Sequence, residues 1–156
     1  MKNRFSVRAF LLASLGIFLS LPNAEATSQS NLTVELDGLK NQGGQVCLSL
    51  FSSSQGFPDQ KESALQTQCV RLGKDSPKIT FENLIPGNYA VAVFHDANSD
   101  QTLNLNSLGI PTEGFGFSRN PAIFAGPPQF DDTAVVVATA QNNIQIKLQY
   151  LWNLNQ

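Results

Sequence analysis

The feature that most limits what this chain can become is its repeated two-residue alternation of apolar and polar side chains. Asn31–Leu36 reads N-L-T-V-E-L, with Leu32, Val34 and Leu36 on one face. Gln45–Phe51 sets Val46, Leu48 and Leu50 against Cys47, Ser49 and Phe51. Period two is the pattern of a strand with one buried face, because successive side chains point to opposite sides. Further strands are read at Thr67–Leu72, Lys78–Phe81, the apolar run Tyr89–Phe94, Ala134–Thr139 and Asn143–Tyr150. Gln141-Asn142-Asn143 is read as the turn of a final hairpin. Helical periodicity is confined to a turn at Asp59–Leu65. Seven short strands and almost no helix predict an all-β, seven-stranded antiparallel β-sandwich of the transthyretin-like or immunoglobulin-like kind. Its expected core is Leu32, Val34, Val46, Leu48, Val70, Ile79, Tyr89, Val91, Val93, Val135, Val137, Ile144, Ile146 and Leu148.

The first 26 residues read differently. Lys2, Arg4 and Arg8 precede the uncharged run Ala9–Leu21, Pro22 ends it, and Ala24-Glu25-Ala26 offers a small-x-small cleavage site. That order predicts a secretory signal peptide cut after Ala26, leaving one domain at residues 27–156. The run is shorter than the roughly 20 residues that span a bilayer. No later run reaches that length, so no transmembrane segment is expected in the mature chain. The expected location is exported, periplasmic or extracellular. Charged residues make up 14% of the chain and the net charge is −2. Without a Lys/Arg cluster to neutralise phosphates, nucleic acid is not an expected partner.

Cys47 and Cys69 are the two cysteines of the chain. In an oxidising compartment they are expected to form one disulfide, the alternative being two buried thiols. With a single histidine, His95, a zinc site has too few ligands.

The stretch His95–Asp132 carries no clear strand or helix pattern. Patternless segments beyond about 12–15 residues are uncommon in compact domains and are often functional. It opens H-D-A-N-S-D-Q-T-L-N. Asp96, Asn98 and Asp100 occupy positions 1, 3 and 5 of a calcium-loop spacing, with the Thr102 carbonyl at 7 and Asn104 at 9. Position 6 is Gln101 rather than Gly, and position 12 is Ser107 rather than a bidentate Glu. The predicted cofactor is therefore weakly held Ca²⁺, with His95, Glu113, Asp131 and Asp132 as further ligands or supports, along with Asn106. The alternative is an Asx-rich turn whose side chains bond their own backbone. Phe115, Phe117, Phe124 and Phe130 alternate with glycines downstream. They are read either as the lining of a binding groove or as a small core that pins the loop.

Two function classes follow. The first is a non-enzymatic binding or envelope module with a calcium-organised loop and an unidentified ligand. The second is a small hydrolase using His95 with Asp96 or Glu113, since histidine is the commonest general base. No serine of this segment lies in a nucleophile-elbow context.

The L-x-P-G-x-Y segment Leu84–Tyr89 resembles the corner of transthyretin-like and collagen-binding-protein B-type sandwich modules. The ordered blocks Y-A-V-A-V-F-H-D-A-N-S-D, L-G-I-P-T-E-G-F-G-F-S and G-P-P-Q-F-D-D-T-A resemble the secreted family called domain of unknown function 2141. The resemblance covers roughly Leu32–Leu148 and implies export and a β-sandwich. The matching residues include His95, Asp96, Asn98, Asp100, Glu113, Gly114, Gly116, Ser118 and Asp132. Asn104 departs from the Asp that relatives often carry there.

Overall fold

The computed structural model describes residues 29–151. The leader, its cut after Ala26 and the start of the mature domain lie outside those residues. Eight strands form: β1 (Ser30–Asp37), β2 (Gln45–Phe51), β3 (Gln66–Arg71), β4 (Lys78–Leu84), β5 (Gly87–Asp96), β6 (Gly114–Phe117), β7 (Val135–Val137) and β8 (Gln141–Lys147). A 3-10 turn at Lys61–Ser63 occupies the expected helical turn, and one short helix, α1, spans Phe130–Thr133.

Two sheets pack as a sandwich. One has the order β4-β1-β8. The other runs β3-β2-β5-β6, with β7 pairing the first half of β5. The alternation in β1 and β2 dictates this: Leu32, Val34, Val46 and Leu50 are fully buried between the sheets. Phe81, Val91, Val137 and Ile146 join them in one core. Tyr89 closes the Pro86-Gly87 corner by donating its hydroxyl to the Ile85 carbonyl at 2.6 Å.

Four expectations change. The strands number eight rather than seven, because β6 lies inside the stretch read as patternless. Its sequence G-F-G-F alternates, but all four residues are buried, so no polar face marks it. The last two strands are not a hairpin. β7 belongs to the β5 sheet, whereas β8 crosses over and pairs β1 in parallel. Asn142, expected in a turn, is a β8 residue that directs this crossing: its Oδ1 accepts from Thr139 Oγ1 and its Nδ2 donates to the Asn31 and Thr139 carbonyls. Finally, Val70 is 37% exposed and Val135 and Ile144 are half-buried, because β3, β7 and β8 are outer strands.

Side-chain amides cover the sheet edges. Gln68 and Gln66 of β3 donate across to the β4 carbonyls of Thr80 and Glu82, each at 3.0 Å. Asn120 lies along β8, donating to the Gln145 carbonyl at 3.0 Å and accepting from the Lys147 N–H at 2.7 Å. Just beyond, Phe115 and Gln149 exchange both backbone hydrogen bonds. Cys47 and Cys69 sit directly opposite one another on β2 and β3 and are disulfide-bonded. They close a loop with a sequence separation of 22, which a chain-entropy argument values at about 3 kcal/mol.

Candidate functional site

The last two residues of β5 fix the loop that follows. Strand alternation sends His95 and Asp96 to opposite sides, and both are buried. The Asp96 carboxylate accepts three N–H groups: Asp100 N at 3.1 Å on Oδ1, Gln101 N at 2.8 Å and Gln45 Nε2 at 2.7 Å on Oδ2. A buried carboxylate is tolerated only with such partners. Oδ2 is filled by its two donors, and Oδ1 retains one lone pair. Gly44 makes room here, since a Cβ on it would collide with the Asp96 carbonyl, and its φ is +73°.

Glu113 does the same work from the far side of the loop. Its Oε1 accepts from Ala97 N at 2.9 Å and its Oε2 from Asn104 N at 3.0 Å. The loop is therefore clamped through four backbone N–H groups, those of Ala97, Asp100, Gln101 and Asn104, by two buried carboxylates. Gln101, in the slot a calcium loop gives to glycine, adopts a left-handed φ of 61°.

Between the clamps the exposed Asx side chains converge. Asp100 Oδ2 accepts from Asn98 Nδ2 at 2.8 Å and Asn104 Nδ2 at 3.1 Å, and Oδ1 accepts from Thr102 N at 2.8 Å. Asn98 Oδ1 accepts from Asp100 N at 3.2 Å, and Asn98 Nδ2 also reaches Asn104 Oδ1 at 3.0 Å. The bonds from Asn104, then Asn98, then Thr102 hold the Asp100 carboxyl below its ordinary 3.8.

His95 is only 1% exposed and has no free ring nitrogen. Nε2 lies 2.8 Å from the Gly43 carbonyl and Nδ1 2.8 Å from the Tyr150 hydroxyl. A carbonyl can only accept, so Nε2 carries the proton; in the neutral ring Nδ1 then accepts from Tyr150. Tyr150 also accepts from Lys40 N at 3.3 Å, while the Lys40 ammonium lies 4.6 Å above its ring. Burial pushes the Tyr150 phenol up from its ordinary value, with the Lys40 bond acting the other way. The ring lies against Gly114, where a Cβ would overlap it.

Asp131 and Asp132 are not brought to this loop. They belong to α1 at the other end of β5, where Asp131 accepts from Arg119 through its backbone carbonyl and Asp132 accepts from Gln129 N. Ser118 fixes that end: its hydroxyl donates to the Thr133 carbonyl at 2.6 Å and accepts from Val91 N at 2.9 Å. Phe57 packs on Phe51, Phe117 and Phe130, and Phe115 packs on Phe117. Phe115, Phe117 and Phe130 thus form a pinning core, whereas Phe124 is 94% exposed. Gln45, Gly43 and Tyr150 carry no sequence signal for their roles, which arise only when separate strands meet.

Among the described residues, no three of His, Cys, Asp and Glu gather as a metal-binding group. Asp96 Oδ1, Asp100 Oδ1, Asn98 Oδ1 and Asn104 Oδ1 each accept one hydrogen bond and keep a second lone pair. Among the described residues no helix is long and apolar enough to cross a membrane.

No curated protein matches the chain, and no solved structure does. A family model does match, over residues 34–145, from the second half of β1 into β8, taking in the clamped loop and the Phe115–Phe130 region. With most of its described length covered, the chain belongs to the bacterial family described as "Uncharacterized protein conserved in bacteria", domain of unknown function 2141.

Proposed function

We propose that this protein is exported and acts as a non-enzymatic binding module of the periplasm or cell envelope, its Asx loop organised by calcium. The observation that carries the reading is the meeting of Asn98, Asp100 and Asn104 at one exposed point above a base clamped by Asp96 and Glu113. Rotating the Asn98 and Asn104 amides about their last bond would aim oxygens where nitrogens now meet Asp100. A cation would then replace the amide hydrogens as the partner of that carboxylate. The Cys47–Cys69 bond and the leader-like residues 1–26 support export. A hydrolase built on His95 has no comparable support, since both its ring nitrogens are engaged.

With few carboxylates and no bidentate Glu, the dissociation constant should be on the order of 10⁻⁴–10⁻³ M. Calcium at 100 times that constant would add about 2.7 kcal/mol of stability. The test is thermal melting in about 10–100 mM calcium, 100 times that constant, against chelator, for the wild type and for Asn98→Ala with Asp100→Ala. Both substituted side chains are exposed, so the fold is retained. A calcium-dependent rise in the wild type alone is expected; no rise, or an equal rise in the double variant, would reduce the cluster to an Asx turn.

A further inference from the structure

Beyond the Asx cluster the loop folds into a small hairpin whose chemistry is different. Leu105 bridges Pro111, Asn106 N donates to the Ile110 carbonyl at 2.9 Å, and Gly109 N donates to the Asn106 carbonyl at 3.0 Å. The Asn106 side chain fills the turn, its Oδ1 accepting from Leu108 N at 2.9 Å and Ile110 N at 3.0 Å. At the base, Thr112 donates to the Asn104 carbonyl through both N and Oγ1. Glu113 holds Asn104 N in turn.

This self-bonded turn presents three aliphatic side chains to the outside. Leu108 is 80% exposed, Leu105 55% and Ile110 37%. No Asp, Glu, Lys or Arg lies between Asp100 and Glu113. A convex tip of this kind offers no groove for a partner to enter; it must itself enter something. The more of its backbone N–H groups such a tip already pairs, the less it loses on leaving water, because hydrocarbon supplies no replacement bonds. Four of the six tip residues, Asn106, Leu108, Gly109 and Ile110, pair their N–H groups within the turn, which leaves those of Leu105 and Ser107 to the polar headgroups.

We propose that the Leu105–Ile110 tip enters the interfacial zone of a phospholipid bilayer, seating this module on a membrane surface. The proposal rests on the export reading, which puts the chain beside such a surface. Charge selects the lipid. Asp100 is the one carboxylate on the loop that faces solvent, since Asp96 and Glu113 are buried. It would lie at headgroup level, where it attracts the ammonium of a zwitterionic phosphatidylethanolamine and repels an anionic headgroup. Without calcium, binding should therefore favour phosphatidylethanolamine.

The experiment is co-sedimentation of the mature protein with vesicles in chelator. One set contains phosphatidylcholine with phosphatidylethanolamine, the other phosphatidylcholine with phosphatidylglycerol. Wild type should sediment with the first set and less with the second. Leu108→Asp, which puts a charge at the exposed tip, should weaken sedimentation about tenfold or more. Phe124→Asp, at the opposite end of the sandwich, should bind as wild type does. Circular dichroism confirms that both variants fold. Absence of wild-type binding, unchanged binding by Leu108→Asp, or an equal loss in Phe124→Asp each overturns the proposal, the last two pointing to nonspecific adsorption. Mass spectrometry of the mature N-terminus separates the two readings: an intact Met1 defeats export, whereas a chain cut after Ala26 that ignores vesicles defeats only the membrane assignment.

Discussion

The two ends of β5 hold irregular chain by opposite means. At the Asp96 end, two buried carboxylates grip backbone N–H groups and leave the rest of the loop in solvent. At the Gly87 end, Phe51, Phe57, Phe117 and Phe130 hold their segments by burial and edge-to-face packing, with Ser118 adding one buried bridge. Hydrogen bonds from an ion fix direction and register, so the polar end has a defined loop with little core beneath it. Aromatic packing gives more energy per residue but less direction. The polar end is thus suited to presenting atoms at set positions, and the aromatic end to anchoring.

The largest expected effect breaks the polar clamp. Asp96→Ala would leave three donors without their acceptor in a buried site and should cost about 3–4 kcal/mol. Phe117→Ala should cost a similar amount, about 3–4 kcal/mol, by opening a cavity. Hydrogen exchange tells the two apart. The Asp96 variant should lose protection at Asp100 and Gln101, and the Phe117 variant around α1 instead. Equal loss at both ends in either variant would mean that the ends are not independently held.

A smaller effect sharpens the comparison through pH. Burial raises the Tyr150 phenol in the folded chain above its ordinary value near 10. Its contribution is fully present below pH 10 and is lost as pH rises through the folded value, because the unfolded chain ionises first. Tyr150→Phe should abolish that alkaline component and cost about 1–2 kcal/mol at neutral pH, since His95 Nδ1 loses its donor. Denaturant melts of both proteins between pH 8 and about 11 measure it. Parallel loss in the two would remove Tyr150 from the polar end's support.

The smallest effect tests the outer cluster. Asn104→Ala removes one exposed amide from Asp100 and should change stability by about 0.5 kcal/mol or less, within the range of surface substitutions. A drop near that of Asp96→Ala would show that the cluster, rather than the clamp beneath it, organises the loop.

Much of this was legible in the sequence because the physics is local. The alternation in β1 and β2 gave their faces, and the D-x-N-x-D spacing located the loop whose side chains do meet. What was not legible depends on pairing between distant segments. No pattern in Val135–Lys147 says that β8 will leave β7 and lie parallel to β1; Asn142 decides it through contacts to Thr139 and Asn31. Likewise, Glu113 reads as a further ligand or support, but the start of β6 returns it beneath the loop, where two backbone amides reach it first. Val70 alternates like a core residue and lies on an overhanging strand with too little opposite it to bury it.

The amides along the sheet edges have a consequence for how this chain behaves among its own copies. An open strand edge is a template on which another chain can add, a hazard met at every collision. Gln66, Gln68 and Asn120 occupy such positions with side chains that copy the bonding of a neighbouring strand but cannot be extended. Each ends the sheet as a backbone partner would, without passing the pattern on to another molecule.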